Sequence, residues 1–371
     1  TNSISPFLSN PKDKITDSLF DPTSSFKDYD PQITIMPRIS FSFPINDGQA
    51  LFFAHYDVLA QRPQSRSYIT PDDYLYFENI VVDATLNNPN LKPEKTIDYQ
   101  IGFQQEVSKT AALKLSTFYR EYKDMIQIMR VVQAYPKSYR TFGNRDFATV
   151  KGFELSYDQQ KTDNLRFNAA YTLSFADGTG SNDVSQANMI NNGMPNLRTI
   201  YPLAYDVRHT FSGNIDYRYG EGKNYNGPRL KIGGKSYNIF ENAGINLIGR
   251  ARSGEPYTRQ GRARNEALLS PTGTLVLVGT VNGSRLPWNY KFDLRIDKNF
   301  TLNGATKTEG KAKKPLFLNA YFTITNLLNT KNIQSVYNYT GNPNDDGYLG
   351  SPGAAAQIAA QTSPQAFIDQ Y

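Results

Sequence analysis

Residues 292–300 read FDLRIDKNF, and apolar and charged side chains alternate along most of this stretch. Phe292, Leu294 and Ile296 occupy one set of alternate positions, with charged residues between them. In a β-strand, alternate side chains point to opposite faces, so the stretch predicts a strand with one apolar and one charged face. Such a strand suits neither an ordinary core nor a fully solvated surface. It suits the wall of a transmembrane β-barrel, with lipid on one side and a polar interior on the other.

The same alternation recurs along the chain and predicts about ten strands in all. It is clearest at residues 165–176, 207–219 and 316–326. Most of the predicted strands reach the roughly 9 to 11 residues that cross a bilayer at a tilt, whereas strands of soluble proteins usually have about five or six. One predicted strand loses its phase near Phe118, where a β-bulge would restore it. The weaker strands are predicted at residues 33–45, 50–61, 95–107, 111–128, 147–159 and 239–252.

The connections between the predicted strands alternate in length. Short turns with polar residues and long loops in strict alternation are typical of outer-membrane barrels. A soluble β-sandwich or propeller also has alternating strands, but its strands would be shorter and its connections less regular. The turn side has segments 46–48, 108–110 and 161–164 with longer ones at 220–238 and 303–314, and the loop side has 62–94, 129–146, 178–206, 253–287 and 330–371.

Composition argues against several other classes of protein. The 371 residues include no Cys and two His, which leaves little material for disulfides, thiol chemistry or a metal site. The segment NPNDDG at 342–347 lacks the ligand spacing of an EF-hand and predicts a turn. The 40 basic and 34 acidic residues are interspersed, without the basic patch that nucleic-acid binding requires. We therefore expect no metal, no cofactor and no nucleic-acid partner.

The predicted sheet needs further strands to close. An open sheet edge is unstable in hydrocarbon because each unpaired backbone group costs several kcal/mol. The last predicted strand runs towards the long-loop side, and residues 352–371 contain no alternating strand that would return. The sequence therefore predicts that strands outside this chain complete the barrel.

Five segments, in this order, resemble motifs of the TonB-dependent outer-membrane receptors. In addition, residues 36–63 and 337–352 resemble the Oar-like receptors of Bacteroidetes. The five segments are NPNLKPEKTIDYQIGF at 88–103, TVKGFELSYD at 149–158, YDVRHTFSGNIDYRY at 205–219, RSGEPYT at 252–258 and FTITNLLNTKNI at 322–333.

The resemblance implies an all-β fold, a transmembrane antiparallel β-barrel of about 22 strands. On that template residues 1–32 are a loop segment, and residues 33–329 supply about ten barrel strands with short periplasmic turns and long extracellular loops. Residues 330–371 are then a long extracellular loop before the closing strand. That strand, the plug and the TonB box lie outside the chain.

The resemblance also implies a function and a location. Such receptors take up scarce or bulky nutrients by plug-gated active transport through the outer membrane of Gram-negative bacteria. The implied partners are the receptor's own plug and remaining strands, TonB, outer-membrane lipid and lipopolysaccharide, and a surface lipoprotein. None of these roles is enzymatic.

Two groups of side chains are candidate functional residues. The first would face the lumen or plug, either as a solvated wall or as a path that selects substrate. The second lies in the loop at 253–287, where guanidinium groups suit phosphates and carboxylates, although a merely soluble loop would have the same composition. The lumen-facing candidates are Asp98, Glu154, Arg208, Asp216, Arg218, Asp293, Arg295 and Asp297, and the loop candidates are Tyr257, Arg259, Arg262, Arg264 and Arg285.

Two alternatives to uptake stay open from the residues alone. A barrel for adhesion, or for assembly with a surface or secretion partner, would have the same strands. A ten-stranded outer-membrane protease resembling the omptins would use carboxylates and a rim histidine, for which His209 beside Asp206 is available. His55 lies in the middle of a predicted strand, so only one histidine reaches that rim. We therefore expect that the protein is not an enzyme.

Overall fold

The computed structural model describes residues 31–63, 91–135, 138–263, 277–302 and 316–370, with a few shorter segments between them. Ten long strands form an antiparallel meander in which each strand pairs with the next along the chain. The strands are β1 (Arg38–Ile45), β2 (Ala50–Gln61), β3 (Glu94–Ser108), β4 (Ala111–Val131), β5 (Tyr139–Thr162), β6 (Leu165–Gly178), β7 (His209–Arg218), β8 (Ala243–Arg252), β9 (Asn289–Thr301) and β10 (Phe317–Ile324).

The sheet confirms the predicted all-β class and the antiparallel order of about ten long strands. Two short strands, Thr85–Leu86 beside β5 and Tyr201–Pro202 beside β6, raise its count to 12. Some predicted ends were wrong: β1 begins at Arg38 and not at residue 33, and β8 begins at Ala243 and not at residue 239. Within the residues that the structure describes, no helix is both long and apolar enough to cross a membrane.

The largest difference from the sequence prediction is at the loop expected over residues 129–146. Most of it is strand, because β4 continues to Val131 and β5 already begins at Tyr139. The register shifts between Tyr122 and Met125, and Asp124 adopts a φ of 57°. This β-bulge, and not the region of Phe118 where we expected one, interrupts the period-two pattern. The alternation is therefore lost although the strand continues.

The register sorts the side chains of all ten strands onto two faces. One, the polar face, carries most of the charged residues of the strands, and the other, the apolar face, is mainly aromatic and aliphatic. Ile101 and Phe322 on the apolar face are 54% and 63% exposed, so this sheet does not cover them. The polar face includes Arg38, Asp57, Asp98, Arg120, Glu154, Asp216, Arg218, Asp293, Arg295 and Asp297, and the apolar face includes Phe41, Tyr99, Ile101, Leu115, Leu155, Phe211, Ile215, Leu294, Ile296 and Phe322.

The connections divide between the two rims of the sheet. At the short-turn rim, two-residue turns join β3 to β4 and β5 to β6, and a longer segment at 219–242 joins β7 to β8. At the opposite, long-loop rim lie the connections that include residues 179–208 and 253–288. The chain after β10 also starts at the long-loop rim and forms helices instead of a strand up to residue 370.

Two clusters of buried hydrophobic residues lie at the long-loop rim. Ala148, Ala176 and Leu203 form one small cluster, where the loop at 179–208 folds against β5 and β6. A second cluster contains Tyr348 and Ala354, where the helices α2 (Pro352–Ala359) and α3 (Pro364–Gln370) pack. A third helix, α1 (Ala187–Asn191), lies within the first loop. The long loops are therefore folded structures with their own contacts.

Candidate functional site

Charged residues of β7 and β9 form an ion-pair network on the polar face. Arg218 donates from Nη1 to Asp297 Oδ2 at 2.9 Å and from Nη2 to Asp297 Oδ1 at 2.7 Å. This two-bond geometry is the strongest arrangement of a guanidinium and a carboxylate. Arg218 Nε also lies 3.9 Å from Asp216. The guanidinium of Arg295 lies 4.3 Å from the ring centre of Tyr321 on β10, as in a cation–π contact.

A second set of charges lies on the polar face of β1 to β4. Asp57 and Asp98 are opposite each other in register on β2 and β3. Arg38 Nε lies 3.0 Å from an oxygen of Asp57, and Arg120 Nε lies 2.9 Å from Asp98 Oδ2. His55 Nε2 lies 3.5 Å from the other oxygen of Asp57. Each aspartate thus has an arginine on the neighbouring strand.

The other lumen candidates are more scattered. Glu154 is on the polar face of β5, between β4 and β6. Asp293 lies 3.2 Å from Lys291 Nζ on the same face of β9. Arg208 precedes β7 at the long-loop rim, where its Nε is 3.6 Å from Asp206. The sheet therefore brings most of the candidates onto one face, while Arg208 lies at its outer end.

Arg285 joins two long loops. Its Nη1 donates to the backbone oxygen of Asp206 at 2.7 Å, and its Nη2 also bonds the Asp206 carboxylate. That carboxylate is 1% exposed and accepts a further hydrogen bond from the backbone N–H of Ala176 at 2.9 Å. Removing one partner of such a buried pair leaves a charge without compensation. Arg285 therefore has a structural role, because its bonds to Asp206 hold the loops at 253–287 and 179–208 together.

The other loop candidates have different surroundings. Tyr257 lies in a two-residue strand beside Ser284–Arg285, and its hydroxyl approaches Gly341 closely. Arg259 and Arg262 are exposed and form no ion pair with any residue that the structure describes. Arg264 lies outside the described residues. The loop thus contains one arginine with a structural role, Arg285, and two that are exposed to solvent, Arg259 and Arg262.

A buried polar network that the sequence pattern did not predict fixes the loop at 179–208. Gln127 is fully buried, and its Nε2 donates to Asp146 Oδ2 and Ser185 Oγ, both at 2.8 Å. The Thr179 hydroxyl donates to Asp146 Oδ1 at 3.0 Å, and Gln186 Nε2 donates to the Thr179 backbone oxygen at 2.8 Å. Because buried polar groups are costly without partners, this network favours one loop conformation. Nothing in a polar stretch of sequence distinguishes these residues from exposed ones.

Asp146 lies outside the membrane-spanning part of β5. Its register partner Met125 is about 14 positions from the short turn. At about 3.3 Å per residue and a strand tilt of about 40°, Met125 lies about 35 Å above that turn along the membrane normal. The hydrocarbon layer is only about 30 Å thick. Burial raises the pKa of the Asp146 carboxyl, and the hydrogen bonds from Gln127 and Thr179 oppose that shift. Burial also raises the pKa of Tyr201 in the same loop.

His209 belongs to an aromatic belt and not to a hydrolytic site. Its ring is stacked at 6.2 Å from that of Tyr171 and 5.8 Å from that of Trp288, and its Nδ1 shares a hydrogen bond of 2.9 Å with the Tyr171 hydroxyl. The carboxylate of Asp206 is occupied by Arg285. In the part of the chain that the structure describes, no three His, Cys, Asp or Glu residues are grouped so that they could hold a metal.

Long antiparallel strands with a charged face, an apolar face and an aromatic belt at one rim define a segment of an outer-membrane β-barrel wall. The family model described as TonB dependent receptor-like, beta-barrel matches residues 12–327. The chain therefore belongs to the family of TonB-dependent receptor β-barrels. Membership locates it in the outer membrane of a Gram-negative bacterium, in a family of receptors and not of enzymes.

Several solved structures are similar to the chain. The outer membrane transporter YddB from Escherichia coli is 13% identical with a TM-score of 0.44, and the match covers 77% of this chain and 36% of that one. The FrpB iron transporter from Neisseria meningitidis is 15% identical with a TM-score of 0.44, over 79% and 35% of the two chains. The chain thus spans about a third of the length of these transporters. No curated protein sequence matches it significantly.

Proposed function

We propose that this chain forms part of the barrel wall of a TonB-dependent receptor that takes up a scarce or bulky nutrient. The observation that carries the proposal is the polar face, on which arginine–aspartate pairs connect β1 to β2, β3 to β4 and β7 to β9. In a wide barrel this face borders a polar interior, whereas the apolar face borders lipid. The polar-face residues, with Asp98, Glu154, Asp216, Asp293 and Arg295 among them, then line the lumen or contact the plug.

The edges of the sheet support a barrel larger than this chain. Among the residues that the structure describes, β1 and β10 each pair with a strand on one side only. Unpaired backbone groups are too costly in hydrocarbon, so further strands complete a barrel of about 22 strands. In this proposal the plug fills that barrel, and force from TonB rearranges the plug to open a path.

The long-loop rim is proposed to face the cell exterior and to bind the nutrient. Arg259 and Arg262 are the exposed guanidinium groups that suit an anionic ligand or lipopolysaccharide phosphates, with Tyr257 beside them and Arg264 in the same loop. Arg285 contributes by fixing the loop and not by touching the ligand. Arg208, also at this rim, contacts Asp206.

We also propose two finer assignments. The segments 36–63 and 337–352 support an Oar-like receptor of Bacteroidetes. A surface lipoprotein that covers the long loops fits a receptor for bulky nutrients, and affinity purification of the intact receptor from outer membranes tests for it. Recovery of the receptor without any lipoprotein would contradict this partner.

A growth experiment tests the uptake function. The gene for the full-length receptor is deleted, and growth is measured on a panel of limiting nutrients, including iron chelates, oligosaccharides and peptides. We expect a defect on one class of nutrient, which the full-length gene corrects only in cells that retain TonB. Correction without TonB, or loss of surface attachment with no growth defect on any nutrient, would contradict uptake and favour a passive or adhesive barrel.

A further inference from the structure

The connection between β7 and β8 contains an ordered hairpin at the short-turn rim. Arg229–Ile232 pairs with Lys235–Asn238 in antiparallel register. Gly233 and Gly234 at its tip have φ angles of 59° and 78°. Two successive positive φ angles are typical of the two-residue turns that match the twist of a hairpin. This connection therefore contains ordered secondary structure of its own, whereas a two-residue turn is enough to connect β5 to β6.

The base of the hairpin is fixed to the barrel wall. Asn164, which is 7% exposed in the turn between β5 and β6, donates to Asn226 Oδ1 at 2.6 Å. Tyr225 next to it is only 3% exposed. The backbone N–H of Gly222 donates to the Glu241 carboxylate at 2.5 Å, which joins the two ends of the connection. The hairpin therefore projects from a defined position on the rim.

One face of the hairpin is mainly apolar and exposed, with Lys235 opposite Ile232 at its tip. Leu230, Ile232 and Tyr237 share that face by register and are 45%, 59% and 50% exposed. The chain after the hairpin continues this character, because Ile239 and Phe240 are 40% and 45% exposed. Five large apolar side chains within 11 residues are thus each at least 40% exposed.

These side chains adjoin the aromatic residues that end the apolar face of the wall. The ring of Phe240 is stacked at 6.0 Å from that of Tyr219, and Tyr219 is 5.3 Å from Tyr217. Tyr217 shares the apolar face of β7 with Ile215 and Phe211. Aromatic residues at the ends of barrel strands lie at the level of the lipid headgroups. The apolar part of the hairpin is thus continuous with the lipid-facing surface.

The charge of the hairpin has one sign. Residues 222–240 contain Lys223, Arg229, Lys231 and Lys235 and no acidic residue. Arg229 and Lys231 lie on the face opposite Leu230 and Ile232, whereas Lys235 lies beside Ile232 at the tip. All the charged side chains of the hairpin are exposed. An apolar face with a basic face behind it is the pattern of segments that lie in a membrane interface and bind anionic lipid.

We propose that the hairpin at 229–238 binds anionic phospholipid headgroups in the inner leaflet of the outer membrane. Its apolar side chains enter the interface beside Tyr217 and Tyr219, while Arg229, Lys231 and Lys235 contact the phosphates. The proposal rests on the orientation given above, with the short-turn rim in the periplasm, but it does not depend on which nutrient is transported. Continuity with the lipid-facing surface favours lipid over an acidic periplasmic protein as the occupant.

The test compares two lipids on the full-length receptor in detergent. Labelled short-chain phosphatidylglycerol and phosphatidylcholine are titrated against wild type and against the double variant Arg229→Gln/Lys231→Gln. We expect tighter binding of phosphatidylglycerol to wild type and a loss of roughly 30-fold in the double variant, because each basic residue near an anionic surface contributes about 1 kcal/mol. The matched control, Lys109→Gln/Lys161→Gln, changes two exposed lysines elsewhere on the same rim, one in the turn after β3 and one at the end of β5, and keeps the wild-type affinity.

Hydrogen exchange then locates the lipid. Amides of 229–240 exchange more slowly in nanodiscs that contain phosphatidylglycerol than in phosphatidylcholine alone, and the double variant abolishes the difference. Equal exchange in both lipids, or equal loss of affinity in the control variant, would overturn the proposal. So would labelling of Ser236→Cys by a membrane-impermeant maleimide in intact cells, since that result puts the hairpin outside. A failed uptake test leaves these readings unchanged, so the two proposals fail separately.

Discussion

Arg218 of β7 donates two hydrogen bonds to Asp297 of β9 across the whole width of β8. Both residues are in register with Gly244 of the intervening strand. A Cβ added at Gly244 would lie 2.6 Å from Arg218 Cζ, closer than real Cβ contacts allow. The missing side chain therefore makes room for the guanidinium, and one ion pair ties three strands together on the polar face.

Gly244→Ala is expected to displace Arg218 and break this ion pair. Because Asp297 is only 7% exposed, the loss costs about 1–3 kcal/mol of unfolding free energy. Urea unfolding of the full-length receptor measures it. The matched control is Gly213→Ala, whose Cβ would meet only an ordinary contact at 3.7 Å. Equal stability of the two variants would show that the pair does not depend on Gly244.

The arginines of the loop at 253–287 are expected to have two different roles, loop stability for Arg285 and nutrient binding for Arg259 and Arg262. Arg285→Ala removes the contact with buried Asp206 and makes the loop at 179–208 more sensitive to protease. Arg259→Ala/Arg262→Ala leaves protease sensitivity unchanged, since both side chains are exposed, but weakens nutrient uptake. Limited proteolysis of whole cells and an uptake assay measure the two effects. The reverse pattern would contradict the assignment of Arg285 as a loop anchor.

The network around Asp146 predicts a pH dependence of the loop at 179–208. Because burial raises the folded-state pKa of Asp146, the ionised carboxylate is disfavoured in the folded loop. Protection of the loop therefore falls as pH rises from the ordinary pKa of an aspartic acid through the raised pKa, and it stays low above that value. Hydrogen exchange of residues 179–186, corrected for intrinsic rates, measures this protection.

The change Asp146→Asn is the direct check of that dependence. It removes the titrating group, so protection becomes independent of pH over the same window. Glu255→Gln is the control, because Glu255 is half exposed and its ion pair with Arg252 contributes little. If the pH dependence survives in Asp146→Asn but disappears in Glu255→Gln, then Glu255 and not Asp146 is the titrating group, and the prediction is wrong.

His209→Phe is expected to leave the barrel folded, and neither wild type nor variant is expected to cleave peptides. The ring can still stack between Tyr171 and Trp288, and only the hydrogen bond to the Tyr171 hydroxyl is lost, at about 1 kcal/mol. Thermal unfolding and a peptide-cleavage assay on the purified receptor measure both properties. Cleavage by wild type that the variant lacks would revive the protease alternative.

The segment of each strand that crosses the bilayer was predictable because its two faces meet different environments. Lipid on one face and a polar interior on the other impose a period of two, which Phe292, Leu294 and Ile296 show without any interruption. Beyond the bilayer that constraint no longer applies. The continuation of β4 past the bulge at Asp124 was therefore missed, and so was the early start of β5.

The candidate site was predictable only as a set of residue types. Arg259 and Arg285 look alike in sequence, yet one is exposed and the other bonds a carboxylate 79 positions away along the chain. The same holds for Gln127, whose partner Ser185 is 58 positions distant. Contacts between loops depend on how the loops fold back on the rim, and local patterns carry no information about that.

The central claim is that β9 separates lipid from a polar interior. The chain contains no Cys, so single cysteines from Phe292 to Asp297 can be introduced and spin-labelled in a full-length receptor without other cysteines. In membranes, we expect collisions with oxygen to peak at Phe292, Leu294 and Ile296, and collisions with a water-soluble nickel reagent to peak at the intervening positions. Accessibility without a period of two, or with the two sets reversed, would contradict the assignment of this strand to a barrel wall.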